Sequence, residues 1–378
     1  MSMDVNNIRN NSNIRLFDTD IQTGLQLWSY SHCNDDSSES VKQCRGVVLD
    51  GDKIVSRMFG YTKEYTENDE DLIRAELSLY EGQIYAVPAM EGTIIRLFHS
   101  HNRWFLSTFR KLDAYNSRWG SDKTFGELFQ QALYNEFTHY NPKFREVVGE
   151  VEDPSHLFDH FCSILDVNNT YTFLLQTTSE TRQVCKGENP QRMWFMGLFD
   201  KDGVFDPMCD IFITAPFERI RNTTSEIVMA RVKITDITMH QGLMVYLPNN
   251  TQIKITHSSY AELQKVRGNT PSILSRYMEV HGDEETKNML RTMYPERVWQ
   301  FNTIDANIKA VCGYIHRVYI GRYIKKQYIF VHPLLNYLLK ELHTKYIQNR
   351  EPVTLSVVEA FISRQPGKII SQLDQVTY

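Results

Sequence analysis

Val87–Phe98 reads VPAMEGTIIRLF, and this stretch is the basis of the fold prediction. The alternating apolar residues that lead into it from Ile84 predict one strand, and the β-branched run Thr93–Phe98 predicts a second. Glu91-Gly92 stands between them and predicts a tight turn, because glycine adopts turn conformations at little steric cost. Since Gly92 has no side chain, we expect this backbone to form the floor of a pocket that approaches a ligand closely.

The composition is that of a globular protein with a sizeable core. The chain has 378 residues, of which 42% are hydrophobic and 12% aromatic. This length predicts two domains, or one large domain with an appendage. The formal net charge is −5, from 41 Lys and Arg against 46 Asp and Glu. Binding to a polyanion would therefore need a local basic face.

The cysteines and the N-terminus indicate a reducing compartment. The six cysteines are Cys33, Cys44, Cys162, Cys185, Cys209 and Cys312. No pair has C-x-x-C spacing, so the sequence predicts neither a zinc knuckle nor a redox dithiol. The N-terminus lacks the apolar segment of a signal peptide, and no apolar run approaches the roughly 18 residues of a membrane span. We expect a soluble cytoplasmic protein with no membrane partner.

The first two-thirds of the chain predicts an antiparallel-rich α+β domain. Residues 1–14 are rich in asparagine, and we expect them to be mobile. The predicted strands beyond the central stretch are Lys42–Leu49, Lys53–Phe59, Arg103–Thr108, Thr170–Gln176, Gln183–Lys186, Arg192–Leu198, Ile237–Leu247 and Thr251–Ile255. The predicted helices are Asp71–Leu79, Ser121–Tyr134 and Pro154–Leu165.

Two histidines raise the question of a metal site. His156 and His160 lie four residues apart on the third predicted helix, a spacing that two metal ligands on a helix can have. No third ligand is evident in the sequence. Phe158 and Phe161 indicate a helix that packs on the core, so we favour the packing interpretation and predict no metal site.

From about residue 260 onward the sequence predicts helices. They are Ser272–Val280, Glu284–Met293, Thr303–Tyr328, Pro333–Gln348 and Thr354–Ser363. Residues 306–350 contain eight basic residues and one acid, Glu341, interleaved with tyrosines, and such a surface can contact phosphates and stack bases. The candidates for RNA binding here are Arg317, Arg322, Lys325 and Lys326. An amphipathic helix pair with a solvated basic face is the alternative.

The order of the motifs resembles that of the bacteriophage-type RNA ligase 1 family of covalent nucleotidyltransferases. C-R-G before a D-G hairpin, the E-G turn, a strand ending near S-E-x-R, a Q-G strand and IKITHSSYAELQKVRGN at 253–269 follow in that order. The resemblance covers residues 40–267, and the helical C-terminal region also suits the family. It implies an antiparallel-sheet adenylation domain over residues 1–262 and an all-α domain over residues 263–378.

The resemblance also implies that the catalytic groups are missing. Such ligases use ATP to adenylate their own lysine, pass AMP to an RNA 5′-phosphate and seal it with a 3′-hydroxyl. The lysine position is Ala89 here, and alanine has no nucleophile. The family's two carboxylates correspond to Leu175, or Gln176 in a register one residue on, and to Gln241, while one phosphate lysine corresponds to Thr256. Neutral side chains do not supply the anionic oxygens that magnesium prefers.

Other positions match the family and imply a phosphate-binding surface. The retained nucleotide- and phosphate-binding candidates are Arg45, Gly46, Glu91, Gly92, Arg182 and Lys254. Arg110 and Lys111 are further candidates for RNA binding, and with Arg45, Arg182 and Lys254 they would line one groove. Loss of the pocket carboxylates removes charges that repel an anion, so binding without catalysis is physically reasonable.

Three hypotheses follow. The leading one is a pseudoenzyme, an RNA ligase-like protein that has lost ATP-dependent chemistry, needs no cofactor and binds RNA or a partner protein. The second is an active RNA ligase that uses ATP and magnesium, with Ala89 an engineered or compensated replacement of lysine. The third is a structural or assembly scaffold. The resemblance implies a viral setting, and hence host cytoplasm or virion, because this ligase family is common in phages and large viruses.

Overall fold

The computed structural model of the protein describes residues 4–207 and 219–375. Contacts divide the chain into two compact units, Met1–Leu263 and Gln264–Tyr378, one residue from the boundary expected above. The α+β fold class is confirmed, with antiparallel sheets in the first unit and helices in the second. Cys209 lies outside the described residues. Within them, no helix combines the length and the apolar character needed to cross a membrane.

The described strands all belong to the first unit. They are β1 (Ile14–Thr19), β2 (Gln26–Tyr30), β3 (Val47–Asp50), β4 (Lys53–Ser56), β5 (Thr62–Thr66), β6 (Ile84–Pro88), β7 (Gly92–Ser100), β8 (Arg103–Ser107), β9 (Thr170–Gln176), β10 (Met193–Phe199), β11 (Phe205–Asp206), β12 (Ile220–Thr223), β13 (Gly242–Tyr246) and β14 (Gln252–Thr256). They form three sheets, with orders β1-β2-β3-β4, β11-β10-β9-β7-β8 and β12-β6-β13-β14-β5. Neighbouring strands pair antiparallel except β14 with β5, which are parallel.

The described helices cover these sheets and build the second unit. They are α1 (Val5–Asn10), α2 (Glu39–Gln43), α3 (Glu70–Leu77), α4 (Phe125–Asn135), α5 (Pro142–Val148), α6 (Leu157–Ser163), α7 (Ser225–Lys233), α8 (Ser258–Arg267), α9 (Ile273–Glu279), α10 (Glu284–Met293), α11 (Val298–Tyr319), α12 (Pro333–Asn349), α13 (Leu355–Ile362) and α14 (Gly367–Asp374). Helices α4 to α6 pack on one face of the second sheet. Helices α3 and α7 pack on one face of the third sheet.

The two strands predicted around Glu91-Gly92 are confirmed, but the tight turn between them is wrong. Strand β6 belongs to the third sheet and β7 to the second, so the two do not pair. The Ala89 N–H donates to the Gly242 carbonyl at 2.9 Å, and the Gln241 N–H donates to the Ala89 carbonyl at 2.7 Å. These bonds hold Ala89 to the start of β13 while the chain crosses from one sheet to the other.

Several predicted boundaries in the first unit are wrong for identifiable reasons. Lys42–Leu49 is not one strand, because its first residues continue α2 and β3 begins only at Val47. Gln183–Lys186 is irregular rather than a strand, because three of its backbone N–H groups donate to a side chain. The asparagine-rich start contains α1, which buries Ile8 completely, so the expectation of a mobile segment is wrong for residues 5–10.

The longest helix of the second unit also differs from its predicted span, Thr303–Tyr328. It begins at Val298, because Phe301 adds to its buried face. Thr303 therefore lies inside the helix rather than at its N-cap, and its hydroxyl donates to the Trp299 carbonyl at 3.0 Å. Regular α-helix ends at Tyr319 and is followed by a π-helical turn, Ile320–Ile324.

Candidate functional site

A cavity of about 460 Å³ lies in the first unit beside the point where the chain crosses between sheets. Its wall is formed largely by strand residues, because side chains alternate between the two faces of a strand and every second one faces the cavity. Second-sheet residues on the wall are Gly92, Ile94, Leu174 and Met196, and third-sheet residues are Thr62, Glu64, Pro88, Met244, Tyr246, Gln252 and Lys254. The remaining lining residues are Tyr30, Arg45, Phe59, Tyr61, Phe109, Ala89, Met90 and Gln241.

Arg45 contributes a guanidinium group to the wall of this cavity. Its central carbon lies 3.9 Å from the ring centroid of Phe109, and its Nη1 makes long hydrogen bonds to the Gly60 carbonyl (3.5 Å) and Thr62 Oγ1 (3.4 Å). Burial lowers the pKa of Arg45. No ion pair joins it to a carboxylate in the described part of the chain, so the arrangement favours an added anion.

Lys254 is the second cation on the wall, and it faces a carboxylate. It lies opposite Glu64 in the parallel β14–β5 pair, and its Nζ is 2.8 Å from Glu64 Oε1. The Lys254 side chain is 14% exposed and that of Glu64 is 60% exposed. Glu64 also acts electrostatically on Arg45, whose pKa it raises against the larger effect of burial. Glu64 therefore lies within electrostatic reach of both cations.

Burial also affects a hydroxyl on this wall. Burial raises the pKa of Tyr30, which lines the cavity with Arg45. The phenol is therefore protonated at neutral pH and can donate a hydrogen bond. A guanidinium, an ammonium and a phenol together match the oxygens of a phosphate.

The four positions where catalytic groups were expected to be lost do not all face the cavity. Ala89 and Gln241 line it, and the Gln241 amide donates to the Met90 carbonyl at 2.8 Å. Leu175 points the other way, into the core beneath α4 and α6, whereas its neighbour Leu174 lines the cavity. The structure therefore contradicts a cavity position for Leu175. Thr256 is buried opposite Gly242 and does not appear on the described lining.

Gln176 is the position that the alternative register gives for the lost carboxylate. It lies on the cavity side of β9, at the last residue of that strand. Its side-chain Oε1 accepts a hydrogen bond from the Trp194 indole at 2.7 Å. Its backbone carbonyl accepts from Gln191 Nε2 at 2.9 Å. This position therefore serves the packing between β9 and β10.

Glu91 has a structural task that the sequence did not indicate. Its carboxylate accepts from the backbone N–H groups of Gln183 (2.9 Å), Val184 (2.7 Å) and Cys185 (3.0 Å), and from the Tyr260 hydroxyl (2.8 Å). It is buried and is not on the described lining of the cavity. The expectation that Glu91 contacts a nucleotide or phosphate is therefore corrected, since three of these contacts hold the connection after β9 and the fourth ties Glu91 to α8.

The two glycines of the retained set serve backbone packing. Gly46 has φ +71°, a conformation that favours glycine, and a Cβ there would lie 3.2 Å from Phe109 Cα. A Cβ on Gly92 would lie 2.5 Å from the Leu175 carbonyl oxygen and 2.9 Å from Leu174 Cγ. The neighbouring strand β9 thus makes a close approach to Gly92.

Arg96 is a buried residue that sequence reasoning missed. It is fully buried on β7, donates from Nε to Ser107 Oγ at 2.8 Å and donates from Nη1 to the Gly46 carbonyl. Burial lowers its pKa to about 9. Arg96 thereby supports the backbone next to Arg45. The signal that points to it is a single base inside the otherwise apolar run Thr93–Phe98.

Of the five basic residues expected to line one groove, two lie on the described lining of the cavity. Arg45 and Lys254 share the cavity, whereas Arg110, Lys111 and Arg182 are not on its described lining. The Arg110 guanidinium lies 5.2 Å from the ring centroid of Phe17, and Lys111 Nζ lies 3.7 Å from Asp18 Oδ1.

The basic region of the second unit is also only partly as expected. Arg322 donates from Nε to the Ile329 carbonyl at 2.8 Å and from Nη1 to Asn336 Oδ1 at 2.7 Å, so it has a structural role. Arg317, Lys325 and Lys326 are exposed. Of the interleaved tyrosines, Tyr319 is buried in the core, and Tyr323 stacks on His343 with ring centroids 3.9 Å apart.

The described lining of the cavity offers few ligands for a metal ion. Glu64 is the carboxylate on its described lining, and it is already paired with Lys254. Among residues 4–207 and 219–375 there is no group of three or more His, Cys, Asp and Glu side chains that could hold a metal ion. These lining residues do not supply the set of carboxylate oxygens that a magnesium ion prefers.

No family model matches this sequence. Two viral proteins are similar to it, each named an immediate-early protein ICP-46 homolog. The protein of Invertebrate iridescent virus 6 is 24% identical in an alignment that covers 88% of this chain and 76% of that protein. The protein of Invertebrate iridescent virus 3 is 25% identical over 295 residues, which cover 76% of this chain but only 61% of that protein.

The solved structures that this chain resembles are ATP-dependent RNA and DNA ligases, at low identity. A variant of Naegleria gruberi RNA ligase with ATP and Mn is 12% identical, with a TM-score of 0.36, over 54% of this chain and 58% of that one. An archaeal ATP-dependent RNA ligase is 13% identical, with a TM-score of 0.40, over 75% and 68%. A putative ATP-dependent DNA ligase from Aquifex aeolicus is 12% identical, with a TM-score of 0.41, over 90% and 87%.

Proposed function

We propose that this chain is an RNA ligase-like protein that binds a phosphate of RNA, or of a nucleotide, in the cavity and forms no covalent bond to it. One observation supports this most directly. Arg45 and Lys254 line the same cavity, together with Ala89 at the position where the resembled family has its lysine. The cations would hold a phosphate, and alanine offers no amine to attack it.

The wall suits the remainder of a nucleotide. Phe59 and Tyr246 bring aromatic rings to it, and Met196 and Met244 bring flexible thioethers. Ligand pockets are commonly apolar with a few placed polar groups, and methionine adapts its shape to a planar ring. The cavity therefore combines a charged part for phosphate with an apolar part for a base.

The charges on the wall predict effects of opposite sign on phosphate binding. Arg45→Gln should weaken binding of a 5′-phosphorylated RNA 12-mer about tenfold or more, because it removes charge-assisted hydrogen bonds. Glu64→Gln should strengthen binding of the same RNA severalfold, because it frees Lys254 and removes a like charge. Titration calorimetry in EDTA, with the 5′-hydroxyl RNA as a parallel ligand, measures the contribution of the phosphate alone.

Lys53→Gln is the matched control, since Lys53 is an exposed base of the same unit outside the described lining. It should leave the preference for the 5′-phosphate unchanged. Equal affinities of the native chain for the two RNAs would contradict the proposal, and so would a preference that survives Arg45→Gln.

A further inference from the structure

Two large aromatic side chains in the second unit face solvent. Tyr328 is 92% exposed and Phe330 is 81% exposed. Between and after them, Ile329 packs against the helical core and Val331 is buried in it. This out-in-out-in pattern is that of an extended segment, in which alternate side chains lie on one face about 7 Å apart. The two rings therefore lie on the same, solvent-facing side of the segment.

The segment that carries the rings is held in place on its inner side. Arg322 donates to the Ile329 carbonyl, and the Gln327 N–H donates to the Gly321 carbonyl at 2.9 Å. The Ile329 side chain sits over Gly321, where a Cβ would lie 2.4 Å from Ile329 Cδ1. Because the backbone is already ordered, a ligand that contacts the rings would lose little further backbone entropy.

The surroundings of the rings are positively charged. Lys325 and Lys326 are exposed and directly precede the segment. Residues 306–350 carry eight bases and one acid, Glu341, whose carboxylate accepts a hydrogen bond from the Tyr337 hydroxyl at 2.7 Å. The Arg322 guanidinium donates hydrogen bonds within the unit. Lys325 and Lys326 are therefore the surface-exposed bases closest in sequence to the two rings. The surface thus offers apolar rings and cations together.

We propose that Tyr328, Phe330, Lys325 and Lys326 form a stacking platform for single-stranded RNA. The proposal rests on the RNA binding proposed above and adds a second contact surface, on the helical unit. Aromatic rings stack on the face of any base, and lysines contact the phosphates that join the bases. The platform binds single strands in preference to duplex, because duplex bases are already stacked on one another. It has no strong preference for base sequence.

A membrane surface is the other ligand that rings and lysines can attract. Interfacial anchoring typically uses an amphipathic helix with a broad apolar face. Here the rings stand on a short extended segment, and the Ile329 and Val331 side chains that alternate with them pack into the core. The geometry therefore favours stacked bases, and anionic vesicles serve as a competing ligand in the test.

The test uses fluorescence anisotropy of the full chain with a 5′-hydroxyl, 3′-fluorescein U20 RNA. Loss of one stacked base should weaken binding about fivefold or more. The double replacement Tyr328→Ala with Phe330→Ala removes two, so it should weaken binding about 25-fold or more. Replacing both lysines, Lys325→Gln with Lys326→Gln, should reduce the slope of log affinity against log salt by about 1.4. All four side chains are exposed, so circular dichroism should show an unchanged fold.

Trp299→Ala is the matched control, because Trp299 is an aromatic residue of the same unit with 67% exposure outside the segment. It should leave the affinity for U20 unchanged. Native affinity in the double ring variant would overturn the platform proposal. If the double ring variant loses binding to phosphatidylserine vesicles but keeps its binding to U20, the proposal is overturned in favour of a membrane surface. If the native chain binds U20 through the rings but shows no preference for a 5′-phosphate in the calorimetry, the cavity proposal is overturned and the platform proposal is supported.

Discussion

Glu91→Ala should lower the free energy of unfolding of the first unit by about 4 kcal/mol or more. The carboxylate accepts four hydrogen bonds, three from the backbone of Gln183, Val184 and Cys185 and one from Tyr260. Hydrogen bonds to a charged group contribute more than neutral ones, and each donor left unpaired in a buried site adds a desolvation cost. We therefore expect a large loss of stability from replacing this one side chain.

Urea unfolding of the first unit, followed by circular dichroism, measures this effect. Tyr260→Phe removes one donor and leaves the carboxylate, so it should cost about 1–2 kcal/mol. Glu180→Ala is the control, because Glu180 is an exposed glutamate of the same connection, and its effect should stay within about 0.5 kcal/mol. A change at Glu91 no larger than that at Glu180 would show that this hydrogen-bond cluster does not stabilise the unit.

Gly92→Ala should cost about 3 kcal/mol, because the added methyl has no space. A Cβ would lie 2.5 Å from the Leu175 carbonyl oxygen, which belongs to the β-sheet backbone and cannot rotate away. The strands β7 and β9 would have to separate at this point, and the hydrogen bonds between them would weaken. The same unfolding experiment measures the loss.

Gly313→Ala is the matched replacement for Gly92→Ala. Gly313 lies in α11, and a Cβ there meets nothing within 4 Å. Alanine has the higher helix propensity, so this variant should be as stable as the native chain or up to about 1 kcal/mol more stable. Equal effects of the two replacements would contradict the packing account of Gly92.

The sequence predicted strands well but not the sheets that they join. The spans of β6, β7, β9 and β10, and the β13–β14 hairpin, could be read from alternating apolar residues and turn residues. Alternation reports which residues share a face of a strand, and carries no information on its partner. The crossing between sheets at residues 89–91 therefore looked like a tight turn, although pairing with β13 places the two strands in separate sheets.

The site was predicted in part, for a related reason. Motif order pointed to Arg45, Ala89, Gln241 and Lys254, and all four line the cavity. The position taken for the lost carboxylate of β9 was Leu175, which faces the core, since a shift of one residue in a strand exchanges its faces.

Charged residues that bond to backbone escaped the sequence analysis. Glu91 and Arg96 are buried and bond to backbone groups that are distant in sequence. Such partners are known only once the chain has folded. Glu91 looked like a ligand-binding charge for that reason. Arg96 was not singled out, although a single base in the run Thr93–Phe98 was a usable signal.

The central proposal is that the cavity carries out no covalent nucleotide chemistry, and one measurement tests it most directly. The native chain and Ala89→Lys are incubated with α-labelled ATP and GTP, with magnesium or manganese, and run on denaturing gels. We expect no label on either protein, because Gln241 remains neutral and Glu64 is paired with Lys254. Label on the native chain would show that a nucleophile is present and would contradict the claim. Label on Ala89→Lys alone would show that the chemistry was lost only at Ala89.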